Sequence, residues 1–558
     1  MFHSTAKIIT FTILATLICA VTATAQLKSN RSDITFKLLG KVGYNTVRIK
    51  QDPVNGNLYI VQNNGIIQRV NFNSDTTSAT LTTVYTTSDT HLNAPLGITF
   101  GSDGTMYLTG NDSTSVLGTA TVVKGVPSSP GSETRTWSMI ATTVPYPYGN
   151  VYNHRVSGVV LNPTGDSLYV NSGAGTDHGE VESGGYRESG LTGIILRLPV
   201  NGDSIVLQDD RSWLRSNGYL FCEGIRNTFD MAYAGDGNLF GVENSGDRDD
   251  PEELNWLREG LHYGFPWRIS TDWTPQQFTP YDPHTDPLLN PNAFGGGNLY
   301  KTFSNDTAYP KAPDSVTFTD PIPSYGPDAD HFRDSATGQV EDASQLGKKI
   351  YTFTPHRSPD GIVFDKDSIL AGDLKGGAFV ISLANSNLVS ALQDTSWDLL
   401  LVKLSKDSSG YSAHVFRLVS GFNSPLGEEL VGNKLFVVET GLFYSNNSPR
   451  LWEITLPLAS TTGIRQSSNS PKTFELLQNY PNPFNPSTVI KYQLPIASRV
   501  SLEVYDVLGR EVETLMDRNQ DAGTHSVIFS ASNLPSGVYF YKLTAGDYVS
   551  VKKALLVK

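Results

Sequence analysis

One pattern recurs along most of the chain and limits what it can fold into: an apolar strand, a tight turn of the Asp-Gly or Asn-Gly type, then an apolar–aromatic pair. It is found at Val47–Val61 around Asn55-Gly56-Asn57, at Gly97–Thr109 around Ser102-Asp103-Gly104, and at Gly158–Val170 around Thr164-Gly165-Asp166. It returns at Asp230–Val242 around Asp236-Gly237, more loosely at Gly361–Gly372 around Asp365-Lys366-Asp367, and at Gly427–Val438 around Gly432-Asn433. Such turns need left-handed backbone that Gly, Asn and Asp tolerate, so each copy reads as a β-hairpin. Sustained helical periodicity is almost absent. A hairpin repeated in this way can bury both faces of its sheet only against its neighbours, which points to a radial repeat. The expected fold is therefore all-β, a six-bladed β-propeller over residues 37–457, with a second stacked β-sandwich domain as the alternative. The copies are spaced more widely than the about 40–45 residues of a minimal blade, so loops have been inserted. The largest insertion, Arg268 to Thr354, is rich in Pro, Asp, Asn and Gly and is expected to shape a binding face.

The two ends of the chain read differently. Residues 1–25 carry Lys7, an apolar run from Ile8 to Val21 and Ala23-Thr24-Ala25 before Gln26, the pattern of a cleaved secretory signal. A membrane anchor, the other reading, needs about 20 apolar residues. No later run is long enough, so no transmembrane span is expected. Cleavage removes Cys19 and leaves Cys222, which excludes an intramolecular disulfide and makes Cys222 a buried small hydrophobe. Residues 458–472 form a Ser/Thr-rich linker. Residues 473–558 alternate apolar and polar positions as a small Ig-like β-sandwich would. A net charge of −13 and the lack of any Lys/Arg-rich run exclude a nucleic-acid partner. Nucleotide and zinc motifs are missing as well: there is no glycine fingerprint after a strand, no Walker loop, no His-Glu-x-x-His and no paired cysteines.

Chemistry-bearing residues gather around the third and fourth hairpins. His154 lies just ahead of the third, and a neutral imidazole there can accept a hydroxyl proton, although such a histidine can equally be structural. Arg226 and Asn227 precede the fourth, where a planar guanidinium can hold carboxylates or polarise a carbonyl oxygen; pairing with a surface carboxylate is the plainer alternative. An acidic loop, Ser245-Gly246-Asp247-Arg248-Asp249-Asp250-Pro251-Glu252-Glu253, offers the oxygen ligands that hard cations prefer, or is simply solvated. Lys375, in Leu374-Lys375-Gly376-Gly377, is a second candidate cation. Residues 326–334 are oxygen-rich and read as a plain Asp-rich loop or as a second ion or sugar site.

The stretch Cys222–Trp267, with Gly224-Ile225-Arg226-Asn227, Glu252-Glu253-Leu254-Asn255 and Tyr263-Gly264-Phe265-Pro266, resembles the soluble quinoprotein glucose and sorbosone dehydrogenase family. The resemblance implies a cofactor, pyrroloquinoline quinone (PQQ), with His154 as general base and Arg226, Asn227 and Lys375 on the cofactor. It also implies Ca2+ near Ser245, Gly246 and Asp247, with Glu253 and Asn255 fixing the loop. Hydride would pass from a sugar or sugar-aldehyde hydroxyl carbon to the quinone, and an external acceptor would take the electrons. Glu428 and Glu429 stand where the family often places arginines in its last blade, and they would repel a tricarboxylate if they faced it. That departure keeps two rivals open: a non-catalytic glycan-binding propeller and a Ca2+-dependent lactonase-like hydrolase. The tail, with Asn479-Tyr480-Pro481-Asn482-Pro483-Phe484-Asn485-Pro486 and Gly537-Val538-Tyr539-Phe540-Tyr541, resembles the type A sorting domain of the type IX secretion system. It implies that residues 473–558 engage that machinery, which carries the protein from the periplasm across the outer membrane to the surface or medium.

Overall fold

The computed structural model describes residues 27–459 and 473–558, apart from 114–115, 148–153, 183, 291–301, 442–447, 521–522 and 547. The signal segment and linker residues 460–472 lie outside the described residues. The chain is almost entirely strand. Among the described residues, six sheets of three or more strands precede the tail. Their first strands are Thr46–Gln51, Gly97–Phe100, Val156–Leu161, Thr228–Tyr233, Pro359–Phe364 and Pro425–Val431. Each of these touches the next in chain order, and the last returns to the first, so the six inner strands close a ring. The N-terminal strand Thr35–Lys41 adds antiparallel to Arg450–Thr455 and completes the sixth sheet from the other end of the chain.

The strict two-residue alternation of the strands explains the ring. Leu435 and Val437 turn into a core shared with Phe379 and Leu399 of the fifth sheet, whereas Phe436 and Val438 turn into one shared with Ile49 and Leu58 of the first. Leu239 likewise packs with Ile195 and Cys222 behind it, while Phe240 packs with Ile362 and Val380 ahead. Every sheet thus supplies half of two apolar layers, and a buried Leu→Ala change in either is expected to cost about 2–5 kcal/mol. Cys222 is buried in one of these layers, and burial pushes its thiol well above the usual range, as suits a packing residue. Crowding at the centre accounts for two of the recurrent glycines. A Cβ on Gly97 would lie 2.2 Å from the Ser157 carbonyl oxygen of the next inner strand, and one on Gly158 would lie 2.7 Å from that of Phe229.

The fifth hairpin departs from the sequence reading. Its second strand is Ala378–Ser382, not the Ile369-Leu370 pair, and the ladder runs from Pro359↔Ser382 to Phe364↔Ala378. Residues 365–377 form one long turn because the Asp365 carboxylate accepts the amides of Ile369 (3.0 Å), Leu370 (3.2 Å) and Gly376 (2.9 Å).

The tail forms a three-stranded and a four-stranded sheet around its own core, which includes Ile490, Tyr492, Leu502, Phe529 and Tyr541. Its longest strand, Glu511–Gln520, and its last, Tyr548–Leu556, flank the four-stranded sheet. Its conspicuous asparagines are staples: Asn479 donates to Thr488 Oγ1 at 3.0 Å, and Asn482 accepts the Leu555 amide at 2.8 Å. Among the described residues no helix is long and apolar enough to cross a membrane.

Candidate active site at one mouth of the ring

Each inner strand starts at one end of the ring, runs to a hairpin turn at the other and returns in the second strand. The segments before each first strand and after each second strand therefore collect at one mouth. His154 arrives ahead of Val156–Leu161, Arg226 and Asn227 ahead of Thr228–Tyr233, and Asn244 to Asp247 directly after Leu239–Glu243. Register breaks at this end of the first, third, fourth, fifth and sixth hairpins, between Val156 and Val159 and between Thr228 and Asp230 for example. Bulges of this kind re-aim side chains next to binding sites.

A short relay of backbone bonds ties these arrivals together. The His154 amide donates to the Ala174 carbonyl at 2.9 Å, and the Ala174 amide donates to the Arg226 carbonyl at 2.7 Å. The Arg226 amide donates to Glu243 Oε1 at 2.5 Å. Arg226 is buried, and its guanidinium grips Asp177: Nη2 to Oδ1 at 2.6 Å and Nε to the carbonyl at 2.8 Å, with Nη1 on the Asn244 carbonyl at 3.2 Å. Asp177 also accepts the Asp247 amide at 3.1 Å, so the acidic loop is docked on the same carboxylate. Asn227 donates to Asn244 Oδ1 at 3.1 Å, and Asn244 in turn donates to Asp360 at 3.1 Å and to the Ser358 hydroxyl of the fifth sheet. Farther along the loop, Asp249 is held by Arg333 at 2.5 Å, His356 at 2.7 Å and Ser390 at 2.6 Å, while Glu253 accepts Asn255 Nδ2 at 2.7 Å.

The electrostatics of the mouth are set by burial. His154 is partly exposed, but its Nδ1 is buried without a hydrogen-bond partner. Burial and the neighbouring Arg226 charge hold its pKa well below the usual 6.5, against a weaker pull from Asp177, so the ring is neutral near pH 7. Burial would raise the Asp177 carboxyl, yet Arg226 and His178 outweigh it and keep the group ionised. Around the loop the balance is reversed. Burial lifts Asp360 to about 7 and Asp250 to about 7, and burial together with Asp360 lifts Glu252 to about 8. Ser245 Oγ and Glu252 Oε2 are buried without partners. The mouth thus pairs a neutral imidazole and a clamped guanidinium with more buried oxygen than the local cations satisfy.

Sequence reasoning missed several members of this group. Asp177 and His178 sit on the loop after the second strand of the third sheet, joined to each other at 2.9 Å (Oδ2 to Nδ1). The His178 ring stacks on Phe303 from the large insertion, with ring centroids 3.8 Å apart. The run Thr176-Asp177-His178-Gly179-Glu180 carried a compositional signal, but no period placed it beside Arg226.

Two expectations need correcting. Lys375 is exposed on the long turn of the fifth hairpin, at the end of the ring away from His154 and Arg226. The carbonyl of Lys366, in the same turn, lies 2.7 Å from where a Cβ on Gly235 would sit, in the fourth hairpin's turn. A six-residue strand separates the two ends by roughly 17–20 Å. At the mouth end, the strand after that turn leads instead to the buried Asn385. Glu428 and Glu429 do not rim the mouth either. They lie inside Pro425–Val431, where Glu429 pairs with Lys50 at 3.0 Å and Glu428 is buried, with burial pushing its pKa well above the usual carboxylate range.

One mouth of this ring of β-sheets thus gathers a neutral histidine, a clamped arginine and an oxygen-rich loop. Residues 49–293 match the family model described as Glucose / Sorbosone dehydrogenase, and residues 478–558 match the one described as Secretion system C-terminal sorting domain. The first match covers His154, Arg226, Asn227 and the acidic loop and stops ahead of the fifth and sixth sheets. Among solved structures, the chain is similar to the holo form of the PQQ domain of a pyranose dehydrogenase from Coprinopsis cinerea, at 14% identity and a TM-score of 0.49, covering 77% of this chain and 97% of that one. It is also similar to the PQQ-bound aldose sugar dehydrogenase of Streptomyces coelicolor, at 15% identity and a TM-score of 0.43, covering 77% and 98%. A third is the soluble aldose sugar dehydrogenase of Escherichia coli in its apo form, at 12% identity and a TM-score of 0.45, covering 76% and 99%. No curated protein matches the chain.

Proposed function

We propose that the protein is an exported quinoprotein dehydrogenase, a six-bladed propeller over residues 37–457 that oxidises a sugar or sugar-aldehyde hydroxyl. The observation that carries this reading is the relay joining His154 through Ala174 to Arg226 beside the unpartnered Ser245 hydroxyl. When bound, PQQ supplies the hydride acceptor and Ca2+ the Lewis acid that polarises it.

His154, neutral near pH 7, takes the hydroxyl proton as hydride leaves the same carbon. Arg226 and Asn227 would hold the quinone, because Asp177 and Asn244 do not exhaust the N–H donors of the guanidinium. Backbone carbonyls at Ser245, Gly246 and Asp247 would hold the ion. The fit rests on the buried oxygens with no partner and on carboxyls driven toward neutrality, a surplus of ligand over cation that a hard divalent ion relieves. Lys375, at the other end of the ring, has no part in this site. Residues 473–558 direct the protein to the type IX secretion machinery, and an external acceptor re-oxidises the cofactor.

A second reading, glycan binding without redox chemistry, is favoured by one observation: the Arg226 charge is already met by Asp177. Titration of the purified protein with PQQ and Ca2+, followed by dye reduction with a panel of aldoses, separates the two. Quinone binding and dye reduction that vanish in His154→Ala support the dehydrogenase. Failure to bind quinone even with Ca2+ leaves the glycan-binding reading.

A further inference from the structure

We propose a second metal site, independent of the quinone reading, on the hairpin that the large insertion places between the fourth and fifth sheets. Asp330, His331 and Asp342 there would bind a divalent transition ion of the Zn2+ kind. The two short strands are His331–Arg333 and Val340–Asp342, and their register sets His331 directly opposite Asp342. Cross-strand partners bring their Cβ atoms within about 4.5–5.5 Å. Asp330 precedes the first strand, and one ligand atom from each of the three residues lies within 4.8 Å of the others.

The feature that makes this more than an acidic hairpin is Asp330. It is only 1% exposed, and its Oδ1 has no hydrogen-bond partner. The other oxygen is fixed by the Ser344 amide at 2.9 Å. A Cβ on Gly326 would come within 2.5 Å of that oxygen, so glycine is required for the carboxylate to sit there. A buried carboxylate oxygen left unsatisfied is costly unless a cation meets it. Asp342 is also prearranged: Oδ1 accepts the Ser344 hydroxyl and the Gln345 amide, both at 2.9 Å, and Oδ2 accepts Gln345 Nε2 at 2.7 Å.

One imidazole with two carboxylates selects a borderline transition ion over Ca2+, which prefers oxygen alone, and leaves a coordination position for water. Bonds of about 2.0–2.2 Å would draw the half-buried His331 and Asp342 onto the fixed Asp330. The ion would also steady the acidic loop at the mouth, because Arg333 of the same strand as His331 holds Asp249 at 2.5 Å.

The test is calorimetric titration of the chelator-treated full chain with Zn2+, comparing wild type with His331→Gln and Asp342→Asn, which change half-buried side chains and leave Asp330 in place. The expected result is one Zn2+ per chain in the wild type and at least tenfold weaker binding in each variant, with unchanged melting of the metal-free proteins. Bound Co2+ should show a visible absorption band that shifts in His331→Gln. The proposal is overturned if the wild type binds no Zn2+ tighter than about 100 µM, a weak, non-specific range. It is equally overturned if His331→Gln binds as tightly as wild type, or if Ca2+ alone binds and does so irrespective of His331.

Discussion

The two ends of the ring are built from the same six hairpins and yet behave as different surfaces. At the turn end, Asp-Gly and Asn-Gly corners stand in solvent, and Lys375 is one of their exposed cations. At the other end the strands bulge, Arg226 and Asp177 are buried in a mutual grip, and several carboxyls are shifted toward neutrality. The difference teaches that a charged residue near a hairpin acquires its chemical environment from which end of the strand it follows. His154 and Arg226 precede first strands and reach the mouth, whereas Lys375 follows one and is carried away.

The sharpest break in this comparison should come from His154→Ala. Dye reduction in the presence of PQQ and Ca2+ is expected to fall about 100- to 10,000-fold, the usual contribution of a general base, while melting changes little. A loss of melting temperature with activity retained would instead make His154 a structural residue of the mouth. Next in size, Arg226→Ala strands a buried Asp177 and is expected to cost about 3–5 kcal/mol in denaturant unfolding. Asp177→Asn in the same background should recover part of that loss.

The pH dependence sharpens the contrast further. Folding raises Glu252 from 4.5 to about 8, so its contribution to stability is fully present below pH 4.5 and is lost as pH rises through 8. Melting temperature should therefore fall between pH 5 and pH 8.5, less steeply in Glu252→Gln, and added Ca2+ should restore it at the upper pH. A rising profile would show that Glu252 is ionised and paired. For His154, whose pKa is depressed, the acid limb of activity should lie below pH 6.5. The smallest effect is expected at the turn end: Lys375→Ala should change neither melting nor quinone binding by more than about 0.5 kcal/mol.

The sequence showed the ring more readily than the site. Five hairpins were readable because their turns are two or three residues long and signalled by Gly and Asp. The fifth was misplaced because its turn is organised by long-range bonds to one carboxylate, Asp365, which no local pattern reveals. The resemblance put Lys375 on the cofactor, whereas the second strand at Ala378–Ser382 leaves it on the turn. His154, Arg226 and the start of the acidic loop were legible because each adjoins a strand whose direction the repeat fixes. Asp177, His178 and Asp360 were not, since Asp177 meets Arg226, and Asp360 meets Asn244, from different sheets, His178 joins the group only through Asp177, and Phe303 comes from an insertion with no period at all. The objection raised by Glu428 and Glu429 was a matter of depth: both lie within the sixth inner strand, below the mouth.

The most direct test of the mouth as the quinone site is a PQQ titration with saturating Ca2+, followed by the absorbance of the quinone, in Arg226→Lys and Lys375→Ala side by side. The lysine keeps the charge opposite Asp177 but lacks the planar fork, so quinone binding should weaken at least tenfold, while Lys375→Ala should bind as the wild type does. Weakened binding in Lys375→Ala with Arg226→Lys unaffected would contradict the account and move the cofactor to the opposite end of the ring.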